Sequence, residues 1–220
     1  MSGPKAYIFL NGDFEKPGRD WPEKPAEDDL IIAADGGARH AAALDWPVHC
    51  LVGDFDSIEQ NMLWRLKSQG TEFFQFPAEK DEIDFELAVK LAHKKGFMDL
   101  EILGALGGRW DMSFGNLFLP RASGWGSEMM RFRHGDWTFL AVSGPASLSV
   151  DGEAGDLLSL LPLGEDVRNL RLVGCRYPLN GETLKAGLSR GLSNEIVKPP
   201  ARLEFASGSL LVITRAGTTA

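Results

Sequence analysis

The feature that most limits the fold is a recurring form. Four apolar runs in the first half of the chain each end in a loop carrying Gly and Asp. Tyr7-Ile8-Phe9-Leu10 precedes Asn11-Gly12-Asp13, and Leu30-Ile31-Ile32-Ala33-Ala34 precedes Asp35-Gly36-Gly37. Cys50-Leu51-Val52 leads to Gly53-Asp54-Phe55-Asp56-Ser57, and Leu100-Glu101-Ile102-Leu103 to the glycine-rich stretch Gly104 to Asp111. Runs of this kind alternating with helical patterns predict βα units and a largely parallel, Rossmann-like sheet with flanking helices. Ser57-x-x-Gln60 has the form of a capping box, opening a helix to about Ser68 that carries Ile58, Met62 and Leu66 on one face and stops at Gly70. A second helix is expected over Glu82 to Lys95, with Ile83, Leu87 and Leu91 in one stripe and Gly96 at its end.

Beyond residue 120 the pattern changes. Pro120, Gly124, Gly126 and Gly135 interrupt it, and short apolar runs then alternate with turn residues: Thr138 to Val142, Leu157 to Leu163, Leu170 to Val173, Arg202 to Phe205 and Leu210 to Thr214. This predicts a C-terminal all-β sandwich. Two domains are expected, residues 1–125 (α/β) and 126–220 (β-sandwich), with the boundary near 125. A chain of 220 residues, 44% hydrophobic, has the composition of a folded protein and not of a disordered one. Its net charge of −8 argues against nonspecific nucleic-acid binding. Two cysteines without a C-x-x-C pair read as free thiols in a reducing compartment. No apolar run approaches the ~20 residues of a membrane span, so a cytoplasmic protein is expected.

In open parallel sheets, ligands bind beyond the carboxyl ends of the strands. Asp35, Asp54, Asp56 and Asp111 each follow a predicted strand, and clustered carboxylates repel unless a cation lies between them. Hard oxygen ligands of this kind suit Mg²⁺. Asp54 and Asp56, two apart, would point the same way in an extended loop. The competing reading makes each Asp a cap or turn residue. Asp81 and Asp84 raise the same choice: Asp81 as N-cap and Asp84 as first-turn charge of the second helix, or members of a metal site with Lys80 near a phosphate. Local sequence does not separate the two. Gly107-Gly108-Arg109 combines bare backbone with a guanidinium able to grip phosphate, or is a turn with a surface Arg. Asn116 falls in an apolar stretch (Phe114, Leu117, Phe118, Leu119) that reads as a buried helix, where an Asn needs partners. No P-loop and no G-x-G-x-x-G occurs. Gly187-Leu188-Ser189-Arg190-Gly191 matches G-x-S-x-G, but the last His is His134, so the Ser–Asp–His order is impossible.

Taken together and in order, Ala34-Asp35-Gly36-Gly37-Ala38, Gly53-Asp54-Phe55-Asp56-Ser57, Lys80-Asp81-x-x-Asp84-x-Glu86, Gly108-Arg109-x-Asp111 with Asn116, and Gly191-Leu192-Ser193-Asn194-Glu195 resemble the thiamine pyrophosphokinase family. Arg176-Tyr177-Pro178-Leu179 adds to the resemblance, which spans nearly the whole chain. It implies transfer of diphosphate from ATP to the hydroxyl of thiamine, giving thiamine diphosphate and AMP, by a homodimer with its active site between subunits. It further implies Mg²⁺ held by Asp54, Asp56 and Asp81, and nucleotide or phosphate contacts from Asp35, Gly36, Gly37, Lys80, Asp84, Arg109 and Asn116. Asp111 would face the acceptor as base, and Ser193 with Asn194 would line the thiamine pocket. Met112 stands where the family commonly has His, and Ile83 where it commonly has Thr. The rival readings are a diphosphokinase for another heterocyclic alcohol, such as a hydroxymethylpterin, and a nonenzymatic nucleotide- or thiamine-binding module.

Overall fold

The computed structural model describes residues 3–18, 21–121 and 129–217. Residues 1–119 and 132–135 form one compact unit, and residues 120–131 and 136–220 a second. The domain boundary expected near residue 125 lies outside the described residues.

In the first unit, β1 (Ala6–Phe9), β2 (Leu30–Ala34), β3 (Cys50–Gly53), β4 (Glu72–Gln75) and β5 (Asp99–Leu103) run parallel in the order β5-β1-β2-β3-β4. Strands β1, β2 and β3 are buried throughout, which is why they read as continuous apolar runs and not as alternations. The chain moves outward from β1 to β4 and then returns to place β5 on the other side of β1. The loops after β1 and β5 therefore lie side by side at the carboxyl ends of the strands, where the Gly12 N–H donates to Gly104 O at 2.8 Å. Helices α1 (Ala38–Ala43), α2 (Gln60–Ser68), α3 (Asp84–Lys94) and α4 (Trp110–Phe118) follow the sheet's loops. Of the stripe expected on α2, Leu66 is buried and Met62 packs on the same core, as does Ile58, which precedes the helix. Leu87 and Leu91 of α3 are likewise buried, and Gly70 and Gly96 hold left-handed conformations just past their helices.

Three local expectations are corrected. The capping box does not form: α2 begins at Gln60 with no side-chain cap, because the Ser57 hydroxyl is hydrogen-bonded to Asp35 Oδ2. Asp81 does not cap α3, whose N-cap is Ile83 in an extended conformation, although Asp84 and Glu86 do occupy its first turn. Helix α4 forms, but it is not a buried apolar helix. Phe114 and Phe118 are 60% and 47% exposed, and the face turned inward carries Ser113 and Asn116.

Phe132 of β6 (Met129–His134) meets Phe85 edge-on at 6.0 Å between centroids, and its neighbour Arg133 pairs with buried Glu101 at 2.9 Å. Lys5 lies 3.2 Å from the other Glu101 oxygen, so this buried carboxylate is compensated by two cations.

The second unit is the expected sandwich. One sheet orders β12 (Asn194–Glu195), β9 (Leu157–Pro162), β14 (Ser209–Arg215) and β7 (Trp137–Ser143). The other orders β11 (Leu179–Leu184), β10 (Val167–Val173), β13 (Ala201–Phe205) and β8 (Ala146–Val150). All pairings within these two sheets are antiparallel. Inward residues of both, among them Leu158, Leu160, Leu172, Leu203 and Val212, share one core. Strands β4, β8, β11 and β12, for which the sequence carried little apolar pattern, are all sheet edges. An edge strand has fewer neighbours to bury against and therefore needs fewer apolar residues. Among the described residues no helix is long and apolar enough to cross a membrane. Cys50 and Cys175 are free and buried.

Candidate active site

Two of the acidic loops converge. Oxygens of Asp35, Asp54 and Asp56 lie within 4.8 Å of one another at the carboxyl ends of β2 and β3. Asp81 lies outside this group, and Asp35 completes it. An extended loop is not what unites Asp54 and Asp56. Phe55 between them adopts φ 70°, and the turn lets Asp54 Oδ1 accept a 3.1 Å hydrogen bond from the Asp56 N–H. Asp35 also sits at positive φ (47°), an uncommon conformation for a side chain with a Cβ. Its Oδ1 is buried with no partner among the described residues, while Oδ2 takes the Ser57 hydroxyl. Repulsion from Asp54 raises the pKa of Asp56 above the ordinary carboxylate value. Asp84, half-buried, is raised as well, chiefly by desolvation, against the pull of Lys80 Nζ 3.1 Å away. An unpartnered buried oxygen and mutually repelling carboxylates make a group that could hold a cation.

Asp35 and Asp84 also line a cleft of about 360 Å³ walled by the loops after β1 and β5. Asp13, whose loop carried no assignment from sequence, organises this wall. Its Oδ2 accepts the Gly108 N–H at 2.9 Å, and its own N–H bonds Leu106 O at 2.9 Å. Gly107 sits at φ 80°, where an added Cβ would fall 2.3 Å from Asp13 Oδ2, so only glycine fits. The signal in the sequence was the fourth strand-end acidic loop, but nothing local said which backbone it would hold. Gly36 and Gly37 belong to a buried 3₁₀ turn after β2, and a Cβ on Gly37 would lie 2.1 Å from Phe9 O. Close packing on β1 thus requires Gly37.

Arg109 and Asp111 form a two-pronged pair at the mouth of the cleft, with Nε to Oδ1 at 3.2 Å and the second bond from Nη2 to Oδ2. The hydrogen bonds with Arg109 lower the pKa of Asp111, and the same bonds raise that of Arg109. Met112 and Asn116 line the cleft as well. Asn116 is 4% exposed, and its Nδ2 donates to Ala105 O at 2.8 Å. In the second unit, Ser193 is exposed and at φ 58°. Asn194 is buried, with Oδ1 accepting the N–H groups of Tyr177 (3.0 Å) and Glu195 (2.9 Å) and Nδ2 donating to Tyr177 O (2.7 Å).

Comparison with known proteins adds an independent line. Residues 23–122 match the family described as thiamin pyrophosphokinase, catalytic domain, and residues 147–210 match thiamin pyrophosphokinase, vitamin B1 binding domain. The thiamine pyrophosphokinase of Bacillus subtilis (strain 168) is 29% identical over 162 residues, covering 73% of this chain and 75% of that protein. The crystal structure of a thiamin pyrophosphokinase family protein from Enterococcus faecalis superposes with a TM-score of 0.83 at 26% identity, covering 98% of this chain and 100% of the other. The crystal structure of the Bacillus subtilis enzyme gives 0.82 at 24%, covering 97% and 100%, a likeness of fold.

Proposed function

Because the chain belongs to the thiamin pyrophosphokinase family, we propose that it transfers the diphosphate group of ATP to the hydroxyl oxygen of thiamine and releases AMP. The observation that carries this reading is the convergence of Asp35, Asp54 and Asp56 at the strand ends, with Asp35 shared by the cleft. These residues suit a hard divalent cation, which we take to be Mg²⁺. When bound, it neutralises phosphate charge that the carboxylates alone would repel. In this reading Asp35 takes the place first expected of Asp81, and Asp84 with Lys80 borders the same acidic group.

The remaining work falls to positioning. Bare backbone at Gly107 and Gly108 allows close approach of a polyphosphate, and Arg109 supplies a planar two-donor grip. The thiamine oxygen attacks the β-phosphorus, a new O–P bond forms, the bond to the α,β-bridging oxygen breaks, and AMP leaves with that oxygen. The hydroxyl proton passes to a carboxylate, for which Asp111 is our candidate. Its pairing makes a useful coupling: while Arg109 holds Asp111, the carboxylate is a weak base. Once Arg109 turns to phosphate, Asp111 loses the partner that depresses its pKa and becomes a stronger one. Met112, facing the cleft, takes no part in proton transfer. Ser193 is retained as a thiamine contact, supported by the vitamin B1 binding match. Asn194 is assigned to structure, since its carboxamide is used by its own loops. A homodimer and a reducing, cytoplasmic setting complete the reading, the latter supported by two free thiols.

The test is AMP formation from ATP and Mg²⁺ with and without thiamine, with mass spectrometry of the product. Thiamine-dependent AMP together with thiamine diphosphate is expected. ADP with thiamine monophosphate would move the attack to the γ-phosphorus. AMP formed only with a hydroxymethylpterin would replace the acceptor, and bound substrates without product would favour the nonenzymatic module.

A further inference from the structure

The inward face of α4 is polar where a helix of this composition is expected to bury its aromatic residues, and Asn116 shows why that matters. Its amide has one orientation fixed by chemistry: Nδ2 donates to Ala105 O at 2.8 Å, and the flipped amide would set two oxygens against each other. Oδ1 is consequently held in place, buried, and without a partner among the described residues, in a side chain that lines the cleft. Leaving a buried acceptor unsatisfied is unfavourable, and the sequence bears that cost on a helix whose apolar side chains Trp110, Phe114 and Phe118 face outward instead. A carboxamide oxygen is satisfied by a group with a hydrogen to give or by a cation. Ionised phosphate is neither, and a carboxamide oxygen has little affinity for a polyanion.

We propose that Asn116 is a specificity-determining residue whose Oδ1 accepts a hydrogen bond from a hydroxyl or amino group of a substrate, and that it is not a phosphate ligand. The proposal rests on reading the cleft as the ATP and thiamine site, and deepens it. Both substrates carry such a donor outside the transferred group: the ribose hydroxyls and adenine amine of the nucleotide, and the amine on the pyrimidine ring of thiamine. Ser113, buried on the same face, donates its hydroxyl hydrogen to Arg109 O at 3.1 Å.

The experiment pairs substrate analogues with variants in the full-length protein. Wild-type turnover with ATP and thiamine is measured first, and its absence would count against the proposed function. In that event the same cycle is read as nucleotide binding by calorimetry. 2′-DeoxyATP, 3′-deoxyATP, purine riboside triphosphate and oxythiamine each remove or alter one donor. One of them is expected to lower kcat/KM by about 10-fold or more in the wild type, as sites built to hydrogen-bond a donor reject its absence. The same analogue should lose nothing further in Asn116→Leu, which keeps the shape and removes the acceptor. A nucleotide analogue or oxythiamine in that role identifies which substrate supplies the donor. Should Asn116→Leu fail to fold, Asn116→Ala, which also lacks the acceptor, serves in its place. Equal penalties for the analogue in wild type and variant, or no penalised analogue in the wild type, would overturn the proposal.

Discussion

Two buried asparagines, one in each unit, have nearly the same exposure and opposite economies. Asn194 in the sandwich uses both ends of its carboxamide on the Tyr177 and Glu195 backbone. Asn116 in the α/β unit uses one end and leaves the other facing a cleft. The same contrast holds for carboxylates. Asp156 of the sandwich is buried and accepts from the Glu153 and Gly217 N–H groups, whereas Asp35 keeps a buried oxygen unpartnered beside two further carboxylates. A polar group that satisfies itself stabilises the fold. One that does not is held in reserve for something the fold lacks.

This comparison is open to experiment at four points. The largest effect is expected from Asp54→Asn and Asp56→Asn, each lowering kcat/KM by about 1,000-fold or more, since metal-supplied charge stabilisation amounts to several kcal/mol. Thermal melts should show stability unchanged or raised, because a repelling charge has been removed. Wild-type turnover in both variants would end the metal assignment. Asn194→Ala should do the reverse, lowering stability by about 1–3 kcal/mol in denaturant titrations through its orphaned partners. A raised KM for thiamine with an unchanged melt would instead return Asn194 to the binding site and break the contrast.

Asp13→Ala frees the Gly108 N–H and loosens the glycine wall. We expect KM for ATP to rise by about 3- to 10-fold with a smaller change in kcat, and Asp13→Asn, which keeps an acceptor, to recover most of it. The smallest effect should be one in which the units agree. Burial pushes the Cys50 and Cys175 thiols from the ordinary 9.0 up to about 11. Native protein at pH 8 should therefore react slowly with a disulfide reagent at both positions, and unfolded protein fast. Since the unfolded thiols ionise first, stability contributed by these groups is intact below pH 9 and falls as pH rises from there towards about 11. Fast reaction of Cys175 alone would show that the sandwich core opens more readily than the parallel sheet.

The central strands of the parallel sheet were legible because burial on both faces leaves an unmistakable apolar run, as in Leu30–Ala34, whose limits the sequence predicts to the residue, whereas β6 was not predicted. The edge strands β4, β8, β11 and β12 were not, because their neighbours are on one side only. The acidic loops were legible as candidates through their order and spacing, but their grouping was not. Ser57 has the spacing of a helix cap and in fact serves Asp35, a residue 22 positions away, and no local pattern records such a choice.

The sequence by itself determined the parallel sheet, the sandwich, the family and the set of residues from which a site is drawn, since these follow from periodicity, turn chemistry and motif order along the chain. Only the tertiary structure decided that Asp35 and not Asp81 joins Asp54 and Asp56, that Asp13 braces the Gly107-Gly108 turn, and that α4 turns Ser113 and Asn116 inward and its aromatic residues out. Those outcomes depend on which loops the strand order brings to one edge, and on which hydrogen bonds are left to make once the backbone is fixed.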